Sequence, residues 1–237
     1  MRDTHDVQYD GRDLEAMSFA RNYYQRIESF FAPYFKGRGI EIGAGSGNFT
    51  ERLLMHPFDS LVAAEPSRAM HRLLNDRFST NPRLAVYQST LAEIHAEFPD
   101  TFDTVVYINV LEHIEDDSQE IQYVNQILKK GGIVCIFVPA LPWLYSRFDA
   151  IVGHHRRYYK KGVENLLLSH GFEIVRSSYF DIAGILPWLV FFKLFGLTLS
   201  GDKTKLYDEY VMPIMGSVET YIPVPIGKNI IVVARKK

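Results

Sequence analysis

The chain has 237 residues, of which 47% are hydrophobic and 23% charged, so it can bury a sizeable core in one large or two small domains. Its formal net charge of −2 argues against a dedicated nucleic-acid binder, because such proteins usually carry a basic excess. The single cysteine, Cys135, lies in the apolar run IVCIFV, which predicts a buried thiol in a reducing compartment. The polar start MRDTHDVQYD lacks the apolar core of a signal peptide, so we expect a cytoplasmic protein.

Hydrophobic periodicity predicts alternating helices and strands. Apolar residues recur at helical spacing over residues 13–35, which predicts one or two helices that end near Pro33. The predicted strands, in chain order, are GRGIEIGAG, SLVAAEP, RLAVYQST, FDTVVYINV, IVCIFVPA, EIVRSSYF and NIIVVARK. The predicted helices between them are SGNFTERLLMH, SRAMHRLLNDRF with Ser67 as its N-cap, DSQEIQYVNQILKKGG closed by Gly131 and Gly132, and KKGVENLLLSHGF. The alternation predicts an α/β fold: a Rossmann-like, doubly wound, seven-stranded and mostly parallel sheet with helices on both faces.

Two segments lie outside this alternation. We predict an N-terminal helical cap over 1–36, a core over 37–181 and 228–237, and an apolar insertion over 182–227. Within the insertion, 182–199 is long enough to be considered as a membrane span, but the chain then returns for a last strand of the same sheet. Spanning is therefore disfavoured, and three alternatives stay open: a lid over the substrate, a dimer surface, or an interfacial helix in peripheral contact with the inner face of the membrane.

The first predicted strand runs into a glycine-rich loop. Gly43, Gly45 and Gly47 occupy alternate positions directly after it, which indicates that the backbone approaches a ligand closely. Glu65 follows Gly45 by 20 residues, at the end of the second strand, where a carboxylate can accept both hydroxyls of a ribose. The dinucleotide fingerprint G-x-G-x-x-G is incomplete because Asn48 stands at the third glycine, yet these features alone fit NAD as well as another adenosine ligand.

Four blocks in register are more specific than the loop alone. EIGAGSG, AAEPS, FDTVVYINVLEHI and LKKGGIVCIFVP, spread over residues 36–140, resemble the class I S-adenosylmethionine-dependent methyltransferases. The resemblance implies S-adenosylmethionine as cofactor and S-adenosylhomocysteine as product. It implies the following cofactor contacts: Glu41, Gly43, Ala44, Gly45 and Gly47 for the methionine part, Glu65 for the ribose, Pro66, Ser67 and Met70 beside the adenine, Thr90 and Leu91 where the family usually has an aspartate for the adenine amino group, and Asn109, Val110 and Leu111 beside the sulfonium.

The segment SRFDAIVGHHRRYYKK, residues 146–161, follows the fifth strand. It resembles a bacterial subgroup of these enzymes with the pattern GH.RRY at this place, many of which are linked to sugar or cell-envelope metabolism. A hydroxyl or ammonium acceptor needs a general base, for which the candidates are His113, His154 and His155. The predicted substrate contacts are Tyr24, Arg156, Arg157, Tyr158 and Trp188. Paired arginines suit a phosphate or carboxylate group. No metal site is predicted, because adjacent histidines are poorly spaced as ligands and Asp149 alone does not complete a site.

These observations predict a methyltransferase that acts on a small, anionic and partly apolar metabolite, sugar-based or lipid-linked, as a monomer or homodimer. Two alternatives stay open: an NAD-dependent oxidoreductase and a non-catalytic scaffold that binds the cofactor. Nucleic-acid methylation is disfavoured, because NVLEH stands where base methyltransferases carry an N-P-P-Y-type motif.

Overall fold

A computed structural model describes residues 20–194, 205, 207–213 and 225–237, and its centre is one seven-stranded sheet. The strands are β1 (Gly37–Ile42), β2 (Phe58–Ala64), β3 (Leu84–Tyr87), β4 (Phe102–Ile108), β5 (Leu128–Pro139), β6 (Phe172–Phe180) and β7 (Asn229–Lys236). The α-helices are α1 (Arg21–Phe31), α2 (Thr50–Leu53), α3 (Arg68–Phe78), α4 (Leu91–Ile94), α5 (Asp117–Ile127), α6 (Arg147–Ile151), α7 (Lys160–Ser169) and α8 (Ile185–Pro187).

The strand order confirms the predicted doubly wound topology. It runs β3-β2-β1-β4-β5-β7-β6, with the first five strands parallel and β7 antiparallel to both β5 and β6. The direction of winding reverses between β1 and β4. In open α/β sheets a ligand binds beyond the carboxyl ends of the strands at this point.

Side chains alternate across the sheet and bury both of its faces. In β5, Val134, Ile136 and Val138 belong to a core that includes apolar residues of α4, α5 and α7. Their neighbours Ile133, Cys135 and Phe137 belong to a second core, shared with α1 and α2. Helices therefore cover both faces, as predicted, and Cys135 is a fully buried free thiol whose pKa is raised by burial.

Two predicted helix boundaries are wrong. Gly131 and Gly132 do not close α5, which ends at Ile127, because Leu128 is already extended and pairs with Phe102 of β4. The chain then bulges before Ile133 pairs with Thr104, and Gly131, at a φ of +76°, lies in that bulge. The helix predicted from SGNFTERLLMH is likewise short, since only Thr50–Leu53 is α-helical.

The two outlying segments are described in part. Residues 21–31 form the predicted N-terminal helix, and a single 3-10 turn, Ala32–Tyr34, leads into the sheet. The rest of the predicted cap, 1–19, lies outside the described residues, as do 195–204, 206 and 214–224 of the insertion. The described insertion contains α8 and a π-helical segment, Trp188–Leu194. In the part of the chain that the structure describes, no helix combines the length and apolarity needed to cross a membrane.

Candidate active site

The glycine loop is folded tightly over the carboxyl ends of β1 and β2. The amides of Gly43 and Ala44 both donate hydrogen bonds to the carbonyl of Ala64, at 2.8 and 3.1 Å. Gly43 has a φ of +67°, and a Cβ there would lie 2.5 Å from a methyl carbon of Val110. Gly47 has a φ of +87°, and a Cβ there would lie 2.5 Å from a ring carbon of Phe78. These contacts explain the glycines, because any larger residue would be strained and would collide with its neighbour.

Glu41 connects this loop to α2 from inside the sheet. It is 2% exposed, and its carboxylate accepts a hydrogen bond of 2.5 Å from the hydroxyl of Thr50. Burial raises the pKa of Glu41 to about 8; the Thr50 hydrogen bond opposes this rise, and the charge of Glu65 adds to it. The side chain thus fixes both ends of the loop, which agrees with the ordering role predicted for it.

Glu65 holds the loop from the β2 side. One carboxylate oxygen accepts the amide of Gly45 and the other accepts the amide of Ser67, both at 2.8 Å. Burial raises the pKa of Glu65, and the hydrogen bonds from Ser67 and Gly45 partly offset that rise. Each carboxylate oxygen has a second lone pair, so the group can still accept hydroxyls of a ribose beside the loop.

The predicted adenine contacts lie at the amino ends of α3 and α4. Ser67 is confirmed as the N-cap of α3, since its hydroxyl accepts the amide of Met70, and Pro66 precedes it. Thr90 caps α4 in a capping box with Glu93, immediately before the buried Leu91. The hydroxyl of Thr90 therefore already has a partner.

The neighbouring Ser89 is a site residue that the sequence did not indicate. Its hydroxyl is buried and has no hydrogen-bond partner among the described residues. An unpaired buried hydroxyl is costly, which makes Ser89 the better candidate to bind a polar group of the adenine.

Asn109, Val110 and Leu111 form the turn that follows β4. Asn109 adopts a φ of +52°, and its amide donates to the carbonyl of Phe137 at 2.8 Å. A non-glycine residue in the left-handed region is strained, and such strain concentrates at ligand sites. The turn places Val110 against Gly43, so the predicted sulfonium wall and the glycine loop are in direct contact.

The three candidate bases do not have the same environment. The rings of His113 and His154 meet edge to face, with centroids 4.6 Å apart, whereas His155 is exposed. Burial, and next the charge of His154, lower the pKa of His113 to about 3. His113 is consequently a weak proton acceptor near neutral pH. Nδ1 of His154 lies 3.0 Å from a carboxylate oxygen of Asp149.

The predicted substrate arginines both have protein partners. The side chain of Arg157 is 2% exposed; its guanidinium donates to Asp149 at 2.8 Å and lies 4.4 Å from the ring centre of Trp188. Arg156 pairs with Asp117 at 2.8 Å but remains 33% exposed. Of the two, only Arg156 presents a substantial surface to a ligand.

The remaining predicted substrate contacts are largely buried. The hydroxyl of Tyr158 lies within hydrogen-bonding distance of the carbonyl of Leu111 and of the carboxylate of Asp117, while the indole of Trp188 donates to the carbonyl of Leu144. Tyr24 packs near Phe49 in the core between α1 and the sheet. Tyr158 and Trp188 thus belong to the core on one face of the sheet, and Tyr24 belongs to the core on the other face.

Comparison with known proteins agrees with this geometry. Residues 40–134 match a family model described as a methyltransferase domain. Similar curated proteins include uncharacterized methyltransferases of Bacillus mycoides, 26% identical over 131 residues, and of Bacillus cytotoxicus, 27% identical over 134 residues. In both cases the match covers 54% of this chain and 59% of the relative, so the chain spans about three fifths of the length of these relatives.

Residues 40–134 are thus similar in sequence to a methyltransferase domain.

Solved structures show the same fold. An S-adenosylmethionine-dependent methyltransferase from Mesorhizobium loti superposes with a TM-score of 0.63 at 16% identity, over 92% of this chain and all of that one. An N-methyltransferase from Haemonchus contortus, solved with phosphomonomethylethanolamine and S-adenosylhomocysteine, gives 0.65 at 16% identity, over 99% of this chain and 59% of its own.

The residues present fit S-adenosylmethionine, the cofactor that the sequence predicts. Glu65 retains lone pairs that can accept ribose hydroxyls, the Gly43–Gly47 loop lets a ligand approach the backbone, and Ser89 offers an unpaired hydroxyl among the described residues.

Sequence reasoning also missed Glu112 and the full role of Asp149. Glu112 is completely buried, and one of its carboxylate oxygens lies 3.9 Å from Nε2 of His154. Asp149 caps α6 through Ser146 while it binds His154 and Arg157. The sequence predicted no metal-ligating cluster, but the fold brings Glu112, His113 and His154 together, with ligand atoms within 4.8 Å of one another.

Proposed function

We propose that this chain transfers the methyl group of S-adenosylmethionine to a small-molecule acceptor. The observation that carries the proposal is the hydrogen bond from the amide of Gly45 to Glu65. It holds a buried carboxylate against the glycine loop, within the residues that match a methyltransferase domain. S-adenosylmethionine supplies a methyl group on a positively charged sulfur, which is reactive enough for direct displacement. The protein then has to bind, orient and exclude water.

Each part of the site has one of these tasks. Glu65 and the loop amides bind and orient the nucleoside, while Asn109 and Val110 pack against Gly43 and limit where the sulfonium can lie. Around them, Leu111 and Tyr158 are buried and keep water from that side of the site.

The acceptor is proposed to be partly apolar. The π-helical segment contacts both the 3-10 turn Pro142–Leu144 and α6. These elements and the residues next to them expose several large apolar side chains. These are Trp143, Tyr145, Ile151, Leu186, Phe191 and Leu194. Such a surface suits the apolar body of a lipid-linked or glycosylated metabolite, and the one-third-exposed guanidinium of Arg156 suits an anionic group on it.

Calorimetric titration tests the cofactor. S-adenosylmethionine, S-adenosylhomocysteine and NAD are titrated in parallel into the wild type and into Glu65→Ala, with Asp59→Ala as the matched control. Asp59 is an exposed acid near the opposite end of the same strand. We expect the two sulfur ligands to bind the wild type and the control, and Glu65→Ala to lose about 1–3 kcal/mol of binding free energy. Binding of NAD alone, or of none of the three, would overturn the proposal.

The transfer itself is tested with radiolabelled S-adenosylmethionine. The purified chain is incubated with pools of sugar, phosphorylated and lipid-linked metabolites, and label is sought in each pool. We expect label in an apolar pool, and none with Glu65→Ala. The chain would be a cofactor-binding scaffold instead if it bound S-adenosylhomocysteine, labelled no pool, and formed no S-adenosylhomocysteine from S-adenosylmethionine during the incubation.

A further inference from the structure

Three side chains with metal-ligating atoms converge just beyond β4. Glu112 and His113 lie on the 3-10 turn Leu111–His113, and His154 follows α6. One ligand atom from each lies within 4.8 Å of the other two, and a carboxylate oxygen of Glu112 is 3.9 Å from Nε2 of His154. A cation about 2.1 Å from each of three ligands in a tetrahedral arrangement needs ligand atoms about 3.4 Å apart. Movements of about 1 Å or less by each side chain would therefore bring the three ligand atoms to the spacing that a bound cation needs.

One ring nitrogen of His154 is already occupied by a protein group, and the His113 ring bonds to the backbone. Nδ1 of His154 bonds to Asp149, which is itself held by Ser146 and Arg157. The His113 ring is hydrogen-bonded to the backbone of Gly153, the residue that its Nδ1 side faces. Metal-ligating histidines characteristically use one nitrogen for such a carboxylate or carbonyl, which fixes the ring and directs the other nitrogen at the metal.

The backbone around the cluster is fixed as well. The amide of His155 donates to the carbonyl of Glu112 at 2.8 Å, so the loop that carries His154 is tied to the turn that carries the other two residues. The hydroxyl of Tyr158 binds the carbonyl of Leu111 in the same way. The three side chains are thus held together by contacts that do not themselves involve ligand atoms, as a preorganised site requires.

We propose that Glu112, His113 and His154 bind one divalent transition-metal cation, of which Zn²⁺ is the test case, and leave at least one coordination position open. Two imidazoles and one carboxylate are a ligand set for zinc and its first-row neighbours, whereas Mg²⁺ prefers oxygen ligands throughout. Three protein ligands are one fewer than a closed structural zinc site uses. The open position is available to a small molecule.

The cluster of Glu112, His113 and His154 lies beside the proposed cofactor site, which gives the open coordination position a role there. Glu112 follows Asn109, Val110 and Leu111 directly, and Val110 is in contact with the glycine loop. The open position would take an oxygen atom of the acceptor and hold it beside the cofactor. This role rests on the proposed function, whereas metal binding itself does not.

The test is calorimetric titration of chelator-treated full-length protein with ZnCl₂, and separately with MgCl₂. The variants are His154→Asn, His113→Asn and Glu112→Gln, with His155→Asn as the matched control because it is the exposed neighbour of His154. We expect one zinc per chain in the wild type and in the control, affinity lowered at least about 100-fold in the three ligand variants, and no comparable binding of Mg²⁺. Asp149→Asn should lower zinc affinity about 10- to 100-fold, as loss of an orienting partner does.

Equal zinc affinity in the wild type and His154→Asn would overturn the proposal and leave the cluster as a buried polar network. Circular dichroism and thermal unfolding of each metal-free variant show whether it folds. If the ligand variants do not fold, the visible spectrum of the wild type with Co²⁺ decides. Intense bands of four- or five-coordinate cobalt support the site, and weak bands of an octahedral, water-rich ion oppose it.

S-adenosylhomocysteine is titrated into the same preparations. Retained binding of this ligand without any zinc binding removes the metal site but not the proposed methyl transfer. Zinc binding without any binding of S-adenosylhomocysteine would support the metal site and remove the proposed methyl transfer.

Discussion

Glu41 shows how a single buried residue can organise a ligand loop at the expense of stability. An acid between two isoleucines in a central strand loses the solvation of its charged form, and the hydroxyl of Thr50 compensates this only in part. A glutamine would make the same hydrogen bond without a charge. That a carboxyl stands here indicates a need for negative charge when a cationic ligand is bound.

Glu41 also predicts a pH dependence. Burial raises its pKa from 4.5 to about 8, so between these values the folded protein keeps a proton that the unfolded chain has released. The free energy of unfolding therefore falls as pH rises through this window, by at most about 1.4 kcal/mol per pH unit from this group. Denaturant unfolding of cofactor-free wild type and Glu41→Gln from pH 5 to 8 measures it. We expect the wild-type slope to be more negative, and identical slopes would refute the assignment.

At the scale of elements, the glycine loop depends on β1 and on the turn after β4 together. Gly43→Ala places a Cβ in a left-handed residue and against Val110, so we expect it to cost about 1–3 kcal/mol and to weaken binding of S-adenosylhomocysteine. The double variant Gly43→Ala, Val110→Ala removes the collision but keeps the backbone strain. It should recover part of the affinity in a parallel titration. Full affinity in the single variant would show that the loop has room to adjust.

In the segment after β5, replacing either of two adjacent arginines should lower the free energy of unfolding by different amounts. Arg157→Ala leaves Asp149 buried without its guanidinium partner, so we expect a loss of about 3–5 kcal/mol in the free energy of unfolding. Arg156→Ala removes a partly exposed pair with Asp117, for which about 1 kcal/mol or less is expected. Urea denaturation of both variants measures the difference. A stable Arg157→Ala protein with impaired turnover would instead favour the substrate role predicted from the sequence.

The features that the sequence could predict depend on residues close together along the chain. Glu65 and the N-cap Ser67 were predictable because strand, loop and helix signals lie within a few residues of one another. The end of α5 was not, since it depends on Leu128 pairing with Phe102 in another strand. The pairing of Glu112 with His154 joins residues from two separate loops, and no local pattern reveals such contacts.

At the scale of the whole molecule, the beginning of the described chain is tied to the insertion near its end. The first turn of α1 has no side-chain cap of its own, since Ala20 precedes the helix. The carboxylate of Asp208 supplies it, accepting the amides of Asn22 and Tyr23 at 2.9 and 2.8 Å. The hydroxyl of Tyr23 also donates to Asn229 at the start of β7. Helix α1, the 207–213 segment and the start of β7 are therefore linked by buried and partly buried polar contacts.

This linkage predicts that α1 and the insertion loosen together. Asp208→Ala removes both caps and leaves two amides without an acceptor, so we expect α1 to lose about 1–3 kcal/mol of local stability. Hydrogen exchange should accelerate roughly tenfold or more in α1 and in 207–213, while the amides of β4 and β5 keep wild-type protection. Glu209→Ala is the matched control, because this neighbouring acid is half exposed and pairs only weakly with Lys205. If both variants exchange alike, α1 is held by its apolar contacts with the sheet alone, and the described 207–213 segment opens independently of it.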